Sequence, residues 1–364
     1  MKRLLSSALF FASTWAIAQA PRTIEPLRLG MVGLVHGHAG GFLNRYLNRP
    51  DIRLVCIAES DQAVASRYAD RYRLDRSLLF SNVDRMLDQA RPQAVVIFTS
   101  TFDHPRVVEA CAARGIPAMM EKPLAVSMEH ARAIERAAHK ANIPVMVKYE
   151  TTWYAGNRAA WKLAKEQKAL GEIRKIVVHD GHPGPKAIGV QPEFFDWLTD
   201  PVRNGAGALF DFGCYGANLM TWLMDGRRPI AVTAVTQRFQ PDVYSAVDDE
   251  ATILVEYPAA QGIIQASWNW PFDRKDMEIY GRTGQIITLR GDGIRVRLQG
   301  KQEEQSTAPP IPAPEDDFLS YLAAVVRKEI KPSGLSSLEN NMIVTEILDA
   351  ARRSAATGQR VVLQ

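Results

Sequence analysis

The chain has 364 residues, 46% apolar and 23% charged, with a formal net charge of +4, the make-up of a globular chain long enough for about two domains. Its basic residues are spread through helices that also carry Glu and Asp, and no dense Lys/Arg block is interleaved with aromatics, so nothing favours a nucleic-acid partner. The cysteines, Cys56, Cys111 and Cys214, are odd in number and form no CxxC pair, which supports buried thiols and neither a disulfide framework nor a zinc knuckle.

Lys2 and Arg3 precede an uncharged, mainly apolar run over residues 4–18, followed by Ala18-Gln19-Ala20. This pattern predicts a cleaved secretory signal over residues 1–20, export to the periplasm or beyond, and no stable membrane span after cleavage. As an anchor the run falls short of the roughly 20 apolar residues a span needs, and Ser6, Ser7, Ser13 and Thr14 dilute it. Cleavage removes two positive charges and lowers the net charge to +2.

Between residues 27 and 147, short β-rich runs (27–32, 54–58, 94–98, 117–120 and 144–147) alternate with helical stretches. That alternation is the mark of a parallel, doubly wound sheet. Phe42, Leu43, Tyr46 and Leu47 recur with a helical period, as do Val107, Val108, Cys111 and Ala112 before Gly115. Ser127 is placed to cap the helix that carries Ala131, Ile134 and Ala138 on one side. After about residue 150 the pattern changes to longer strands (173–178, 230–236, 251–257, 262–268, 277–280 and 285–289), several joined by glycine turns, which predicts a largely antiparallel sheet. The proline-rich stretch 302–316 reads as a linker, and helices are predicted at 318–328 and 338–357. The fold expected is α/β: a dinucleotide-binding Rossmann domain over 26–148, an α+β domain over 149–300, a linker over 301–316 and C-terminal helices over 317–364.

Three constellations carry chemistry. The loop Gly33-Leu34-Val35-His36-Gly37-His38-Ala39-Gly40-Gly41 follows the first strand and opens the first helix, where backbone N–H groups attract a pyrophosphate. It departs from GxGxxG, with Val35 and His38 at the second and third glycine positions. Glu59 ends the second strand, where a carboxylate accepts from ribose hydroxyls and repels a 2′-phosphate, favouring NAD over NADP. Glu121-Lys122-Pro123 follows the apolar run 116–120, placing a lysine at the sheet's C-terminal edge with Pro123 fixing the exit. Near a positive nicotinamide such a lysine would have its protonated form disfavoured. In the stretch 207–218, Asp211 and Tyr215 lie one helical turn apart with Asn218 on nearly the same stripe, and a carboxylate and a phenol converging on a lysine form an acid/base relay. The bland reading is a polar edge on an otherwise apolar helix. His36-x-His38 and His179-x-x-His182 offer nitrogens to a metal, but no thiolate or clustered carboxylate completes a site, so no metal is expected.

Glu121-Lys122-Pro123, the preceding Thr99-Ser100-Thr101 with His104, and Asp211-x-Gly213-x-Tyr215 resemble the glucose-fructose oxidoreductase / inositol dehydrogenase / MocA family, over about residues 26–357. The resemblance implies a catalytic Lys122 supported by Asp211, with Tyr215 where other members have His. It implies cofactor contacts from Gly33, Val35, His36, Gly37, His38, Glu59, Thr99, Ser100, His104, Glu121 and Lys122, and a substrate cleft beginning near Tyr149 and Trp153, with Lys122, Asp211, Tyr215 and Asn218 completing it. Thr99-Ser100-Thr101 departs from the family's usual Thr-Pro-Asn, and His36 and His38 replace small residues. The resemblance also implies a homo-oligomer that joins through one sheet face. The function expected is an exported NAD(P)-dependent oxidoreductase, with NAD favoured, that moves a hydride between nicotinamide and a carbinol carbon of a sugar, polyol or related cyclic alcohol. Two rivals are a glycosidase working by transient oxidation with a retained cofactor, and a non-catalytic sugar-binding protein.

Overall fold

The computed structural model of the protein describes residues 25–363, so the expected signal segment lies outside the described residues. Six parallel strands, β1 (Leu27–Val32), β2 (Ile52–Ala58), β3 (Leu79–Phe80), β4 (Ala94–Ile97), β5 (Ala118–Glu121) and β6 (Val145–Lys148), stand in the order β3-β2-β1-β4-β5-β6. The order reverses between β1 and β4, so the carboxyl ends of these strands open the crevice where such sheets bind ligands. β4 and β5 are buried along their whole length, as a sheet covered on both faces requires. Ser127 does cap its helix: the His130 N–H donates to its hydroxyl at 3.3 Å, and Met128–Ala141 ends at Asn142 in the left-handed region, φ 52°. The two residues of β3 are too few to register as a periodic run.

The second sheet has nine strands: β7 (Ile173–Gly181), β8 (Ala231–Gln237), β9 (Glu250–Glu256), β10 (Gln261–Ser267), β11 (Arg274–Gly281), β12 (Gly284–Thr288), β13 (Gly293–Leu298), β14 (Glu304–Thr307) and β15 (Val361–Val362). They run in the order β14-β13-β12-β11-β7-β10-β9-β8-β15, antiparallel throughout except for β7 beside β10. Ala251, Ile253 and Val255 of β9 and Ile264 and Ala266 of β10 face inward. The helices Gly213–Leu223 and Leu338–Thr357 pack over that side; on the other, residues such as Val235 are exposed.

Two expectations need correction. The stretch read as a linker contains β14, which pairs with β13. All four β14 residues are exposed, so an edge strand with no buried stripe offers no apolar period to read. The helix Phe318–Val326, set apart by the expected bounds in a C-terminal unit over 317–364, packs instead on the first domain. Phe318, Leu319 and Leu322 join Leu29, Met31, Phe42 and Phe98 in one apolar cluster, making the helix a layer over the first sheet. Asp317 caps it by accepting from the Leu319 N–H at 2.8 Å, and also accepts from Arg49 at 2.7 Å. Cys56, Cys111 and Cys214 are buried and unpaired, as expected.

Candidate active site

Gly33 leaves β1 with φ +84°, and a Cβ there would stand 2.7 Å from both the carbonyl carbon and the oxygen of Phe98. Only glycine lets the loop turn this close to β4. Beyond it a cavity of about 140 Å³ is lined by Gly33, Val35, Glu59, Thr99 and Arg106, with Arg203 reaching in from the other half of the chain. Glu59 is not a free strand-end carboxylate. Its oxygens accept from the Leu34 N–H at 2.7 Å and the Asp61 N–H at 2.9 Å, and burial raises its pKa against these bonds. Each carboxylate oxygen keeps acceptor capacity for a further donor. Ser100, fully buried, gives its hydroxyl to Asp103 at 2.6 Å and so does not serve the crevice.

His104 also turns away. It opens the helix His104–Ala112 and places Nδ1 3.0 Å from the Leu124 carbonyl, while Nε2 is buried without a partner. Burial is the main force holding its pKa down, to about 4. A histidine kept neutral in the fold contributes stability above its unfolded pKa, and this is lost as the pH falls through 6.5 toward the folded value. His104→Gln is therefore expected to shrink the loss of unfolding free energy between neutral pH and about pH 4 by about 3 kcal/mol, measured by denaturant titration at both pH values.

The segment 192–204 lies over the glycine loop. The Trp197 indole N–H donates to the Val35 carbonyl at 3.2 Å, and the His36 ring packs between Phe194 and Trp197, 4.9 and 5.6 Å between centroids. His36 is buried, and burial holds its pKa well below the usual histidine range. His38 is half-exposed with Nδ1 3.1 Å from Glu121 Oε2, and the other Glu121 oxygen accepts from Lys148 at 2.7 Å. Glu121 thus supplies the carboxylate that the sequence reading found missing: the candidate ligand atoms of His36, His38 and Glu121 lie within 4.8 Å of one another. The group is satisfied internally, however. His36 Nδ1 accepts the His38 backbone N–H at 3.1 Å, and the Lys148 ammonium occupies the cation's place beside Glu121.

Lys122 reaches from the end of β5 to the other half of the chain. Its ammonium donates to the Asp211 side chain and to the Asp211 carbonyl, the latter at 3.0 Å, and lies 5.2 Å from the centre of the Tyr215 ring. Lysine and aspartate are each 6% exposed. Burial disfavours both charges, yet their mutual attraction raises Lys122 above the usual lysine range and lowers Asp211. Without a nicotinamide beside it, the Asp211 carboxylate is the charge that sets the lysine's direction of shift, upward. The Trp268 N–H donates to the remaining Asp211 oxygen at 2.9 Å. Asp211 and Tyr215 do not share one helix: Ala208–Asp211 ends at Phe212, and Gly213–Leu223 begins beyond it. Both still face one cavity of about 300 Å³, together with Lys122, His36, Gly37 and His38.

Three expected substrate contacts fall elsewhere. Tyr149 is fully buried behind Tyr215, edge-on at 5.4 Å between centroids. Trp153 packs edge-on against Tyr321 at 5.7 Å beside a separate cavity. Asn218 donates to the Leu335 carbonyl at 2.8 Å in the helical layer, because one turn beyond Tyr215 the helix has left the cavity wall. Conversely, Lys275, Glu150, His182, Arg290 and Asp273 line the cavity without having been assigned a role from sequence. Lys275 carries a legible signal. It alternates with Met277 and Ile279 on the buried stripe of β11, an uncommon place for a lysine.

Residues 27–149 match the oxidoreductase family with an NAD-binding Rossmann fold, and residues 158–287 match the GFO/IDH/MocA C-terminal domain. The chain is 24% identical to trans-1,2-dihydrobenzene-1,2-diol dehydrogenase of Sus scrofa over 345 residues, 90% of this chain and 96% of that protein. It is 23% identical to inositol 2-dehydrogenase of Rhizobium meliloti (strain 1021), covering 92% of this chain and 97% of that one. Its fold is similar to that of an inositol dehydrogenase homolog from Azotobacter vinelandii, solved in complex with NAD+, with a TM-score of 0.80 at 18% identity over 96% of this chain and 100% of the other. A glycine-turned crevice opening toward a buried lysine–carboxylate pair, with both halves of the chain matched, means that this protein belongs to the GFO/IDH/MocA family of NAD-binding oxidoreductases.

Proposed function

We propose that the protein is an exported enzyme that transfers a hydride between NAD and a carbinol carbon of a sugar, polyol or related cyclic alcohol. The observation that carries this reading is the convergence of Lys122, Asp211 and Tyr215 on one cavity at the mouth of the crevice. Gly33, Val35, Gly37, Glu59 and Thr99 are the residues that would hold the cofactor, and the Glu59 charge favours a free ribose hydroxyl over a 2′-phosphate. When bound, the nicotinamide supplies the hydride acceptor or donor. Tyr215 exchanges the proton of the substrate hydroxyl. Lys122 has spent two of its donors on Asp211, which leaves a third for the substrate oxygen. The cavity sets polar Glu150, His182 and Arg290 against apolar Ile188, Phe194 and Phe212, which suits a ring with hydroxyls on its edge. The names of the relatives, a dihydrodiol and an inositol dehydrogenase, support the same class.

Export rests on residues 1–20, and a cofactor clasped under segment 192–204 would suit it. The uncovered face of the second sheet supports self-association. Denaturing the purified protein is expected to release NAD. Loaded with NAD+ and offered myo-inositol, D-glucose and levoglucosan, the protein is expected to form NADH, and Tyr215→Phe to lower the rate about 10²–10⁴-fold with NAD affinity unchanged. Cleavage of a glycoside with no net NADH would replace this reading with the transient-oxidation one, and an undiminished rate in Tyr215→Phe would remove the phenol from the mechanism.

A further inference from the structure

The hydroxyl of Tyr215 is not partnered by Lys122, whose ammonium sits over the ring. It is partnered by Lys275 of β11, whose Nζ donates to the phenolic oxygen at 3.3 Å and to Glu150 at 2.5 Å. Lys275 is 12% exposed and Glu150 40%, so the chain phenol, ammonium, carboxylate runs from the buried site to water. We propose that Lys275 is the positioning residue of the proton-transfer step, aiming the Tyr215 hydrogen into the cavity and matching the phenolate that forms when that hydrogen leaves. This rests on the role proposed above for Tyr215.

The geometry makes the assignment directional. An ammonium can only donate, so the phenolic oxygen accepts from Lys275 and its own hydrogen is left to point at the substrate. The surroundings leave Lys275 few other claims. Asp180, its cross-strand partner in the β7–β11 register, is fully buried with neither oxygen hydrogen-bonded, and burial pushes its carboxyl well up, toward the neutral form. Asp276 faces the other side of the sheet, bound to His179 at 2.8 Å. Burial disfavours the Glu150 charge, but Lys275, Tyr154 and Arg290 hold its pKa down to about 2. Around the phenol, burial, Glu150, Cys214, Asp180 and Asp211 all push its pKa well above the usual tyrosine range. Tyr149 packs edge-on to its ring, and Lys122 and Lys275 are the cations against it.

In the reducing direction the Tyr215 O–H bond breaks as its proton passes to the substrate carbonyl oxygen, whose carbon would take its new electron pair as the hydride that a bound reduced nicotinamide would supply. The phenolate is paired with Lys275 until a proton from water, entering beside Glu150, restores the phenol. Oxidation runs the same steps backward.

The test needs no substrate. In NAD+-loaded protein labelled with [ζ-13C]tyrosine, Tyr215→Phe assigns the Tyr215 carbon signal, which is followed from about pH 6 to about pH 11. The midpoint of its move to phenolate is expected about one pH unit or more lower in the wild type than in Lys275→Met, with Lys275→Arg restoring most of the difference. A signal that behaves alike in wild type and Lys275→Met, including one that stays phenolic in both, overturns the role of Lys275 and leaves Tyr215 as acid/base untouched. If Lys275→Met fails to fold, a Lys275→Arg midpoint shifted by less than about half a unit supports the proposal and a larger shift overturns it. The Tyr215 reading itself fails on different evidence, undiminished turnover in Tyr215→Phe.

Discussion

Lys122→Met is expected to lower turnover about 10³-fold or more while NAD affinity changes less than about threefold. The lysine stands at the substrate end of the crevice, and its two assigned donors go to Asp211, so its loss removes a charge from the reacting oxygen and nothing from the glycine loop. Stability should fall as well. Asp211 would remain buried with only the Trp268 indole N–H on its carboxylate, and stripping one partner from a buried pair costs about 3–5 kcal/mol. The double variant Lys122→Met/Asp211→Asn separates the two effects, because it removes the orphaned charge and should recover much of the stability while staying inactive. Denaturant titration beside NADH-formation assays reads both. The pair also has a pH signature. The folded pKa of Asp211 is lowered by Lys122 against the opposing effect of burial, so its contribution is present above the unfolded value of about 3.9 and is lost as the pH falls through the folded one. A Lys122→Met protein that turns over normally would take the lysine out of the chemistry.

Gly33→Ala is expected to weaken NAD binding tenfold or more and to cost about 3 kcal/mol of stability. At φ +84° any side chain is strained, and the new methyl would stand 2.7 Å from the Phe98 carbonyl and from Thr99 Cγ2. Neither neighbour can retreat easily. Phe98 follows β4, whose pairing with β1 and β5 pins its backbone. The loop must therefore shift, and with it the N–H groups that face the crevice. Gly41→Ala is the matched control. A Cβ at Gly41, inside the helix His38–Tyr46, meets nothing within 4 Å, so alanine there should stabilise by about 0.5–1 kcal/mol and leave affinity alone. Thermal melts and cofactor titration on the two variants decide whether the glycines of this loop act through geometry or merely through composition.

Much of this architecture is written in local pattern. β1 and the helix Leu338–Thr357 fall where periodicity places them, because a buried stripe and a cap are properties of neighbouring residues. Glu121-Lys122-Pro123 is legible for the same reason, since a lysine directly after a buried strand has one plausible edge to occupy. β14 and β15 are edge strands made by pairing more than by a buried stripe, and β13, held between β12 and β14, buries only Ile294, so none of the three offers an apolar period to read. Asn218 does share the helix Gly213–Leu223 with Tyr215, but nearly a turn further on that helix has left the cavity wall and its amide is held by the Leu335 carbonyl. Trp153 and His104 look like site residues by type, and their packing against Tyr321 and Leu124 is set by elements distant in the chain.

Sequence alone determined the two-part α/β plan and the NAD-type crevice, because alternating periods and strand-end residues are local properties, and it singled out Lys122, Asp211 and Tyr215 by type and position, although the break at Phe212 means that no shared helical face joins the last two. Which cation meets the Tyr215 oxygen was decided only in three dimensions. The β7–β11 register and the turn of residues 149–154 bring Lys275 and Glu150 to a phenol far away in sequence, and no local rule couples residues whose proximity exists only once the sheet has closed over the crevice.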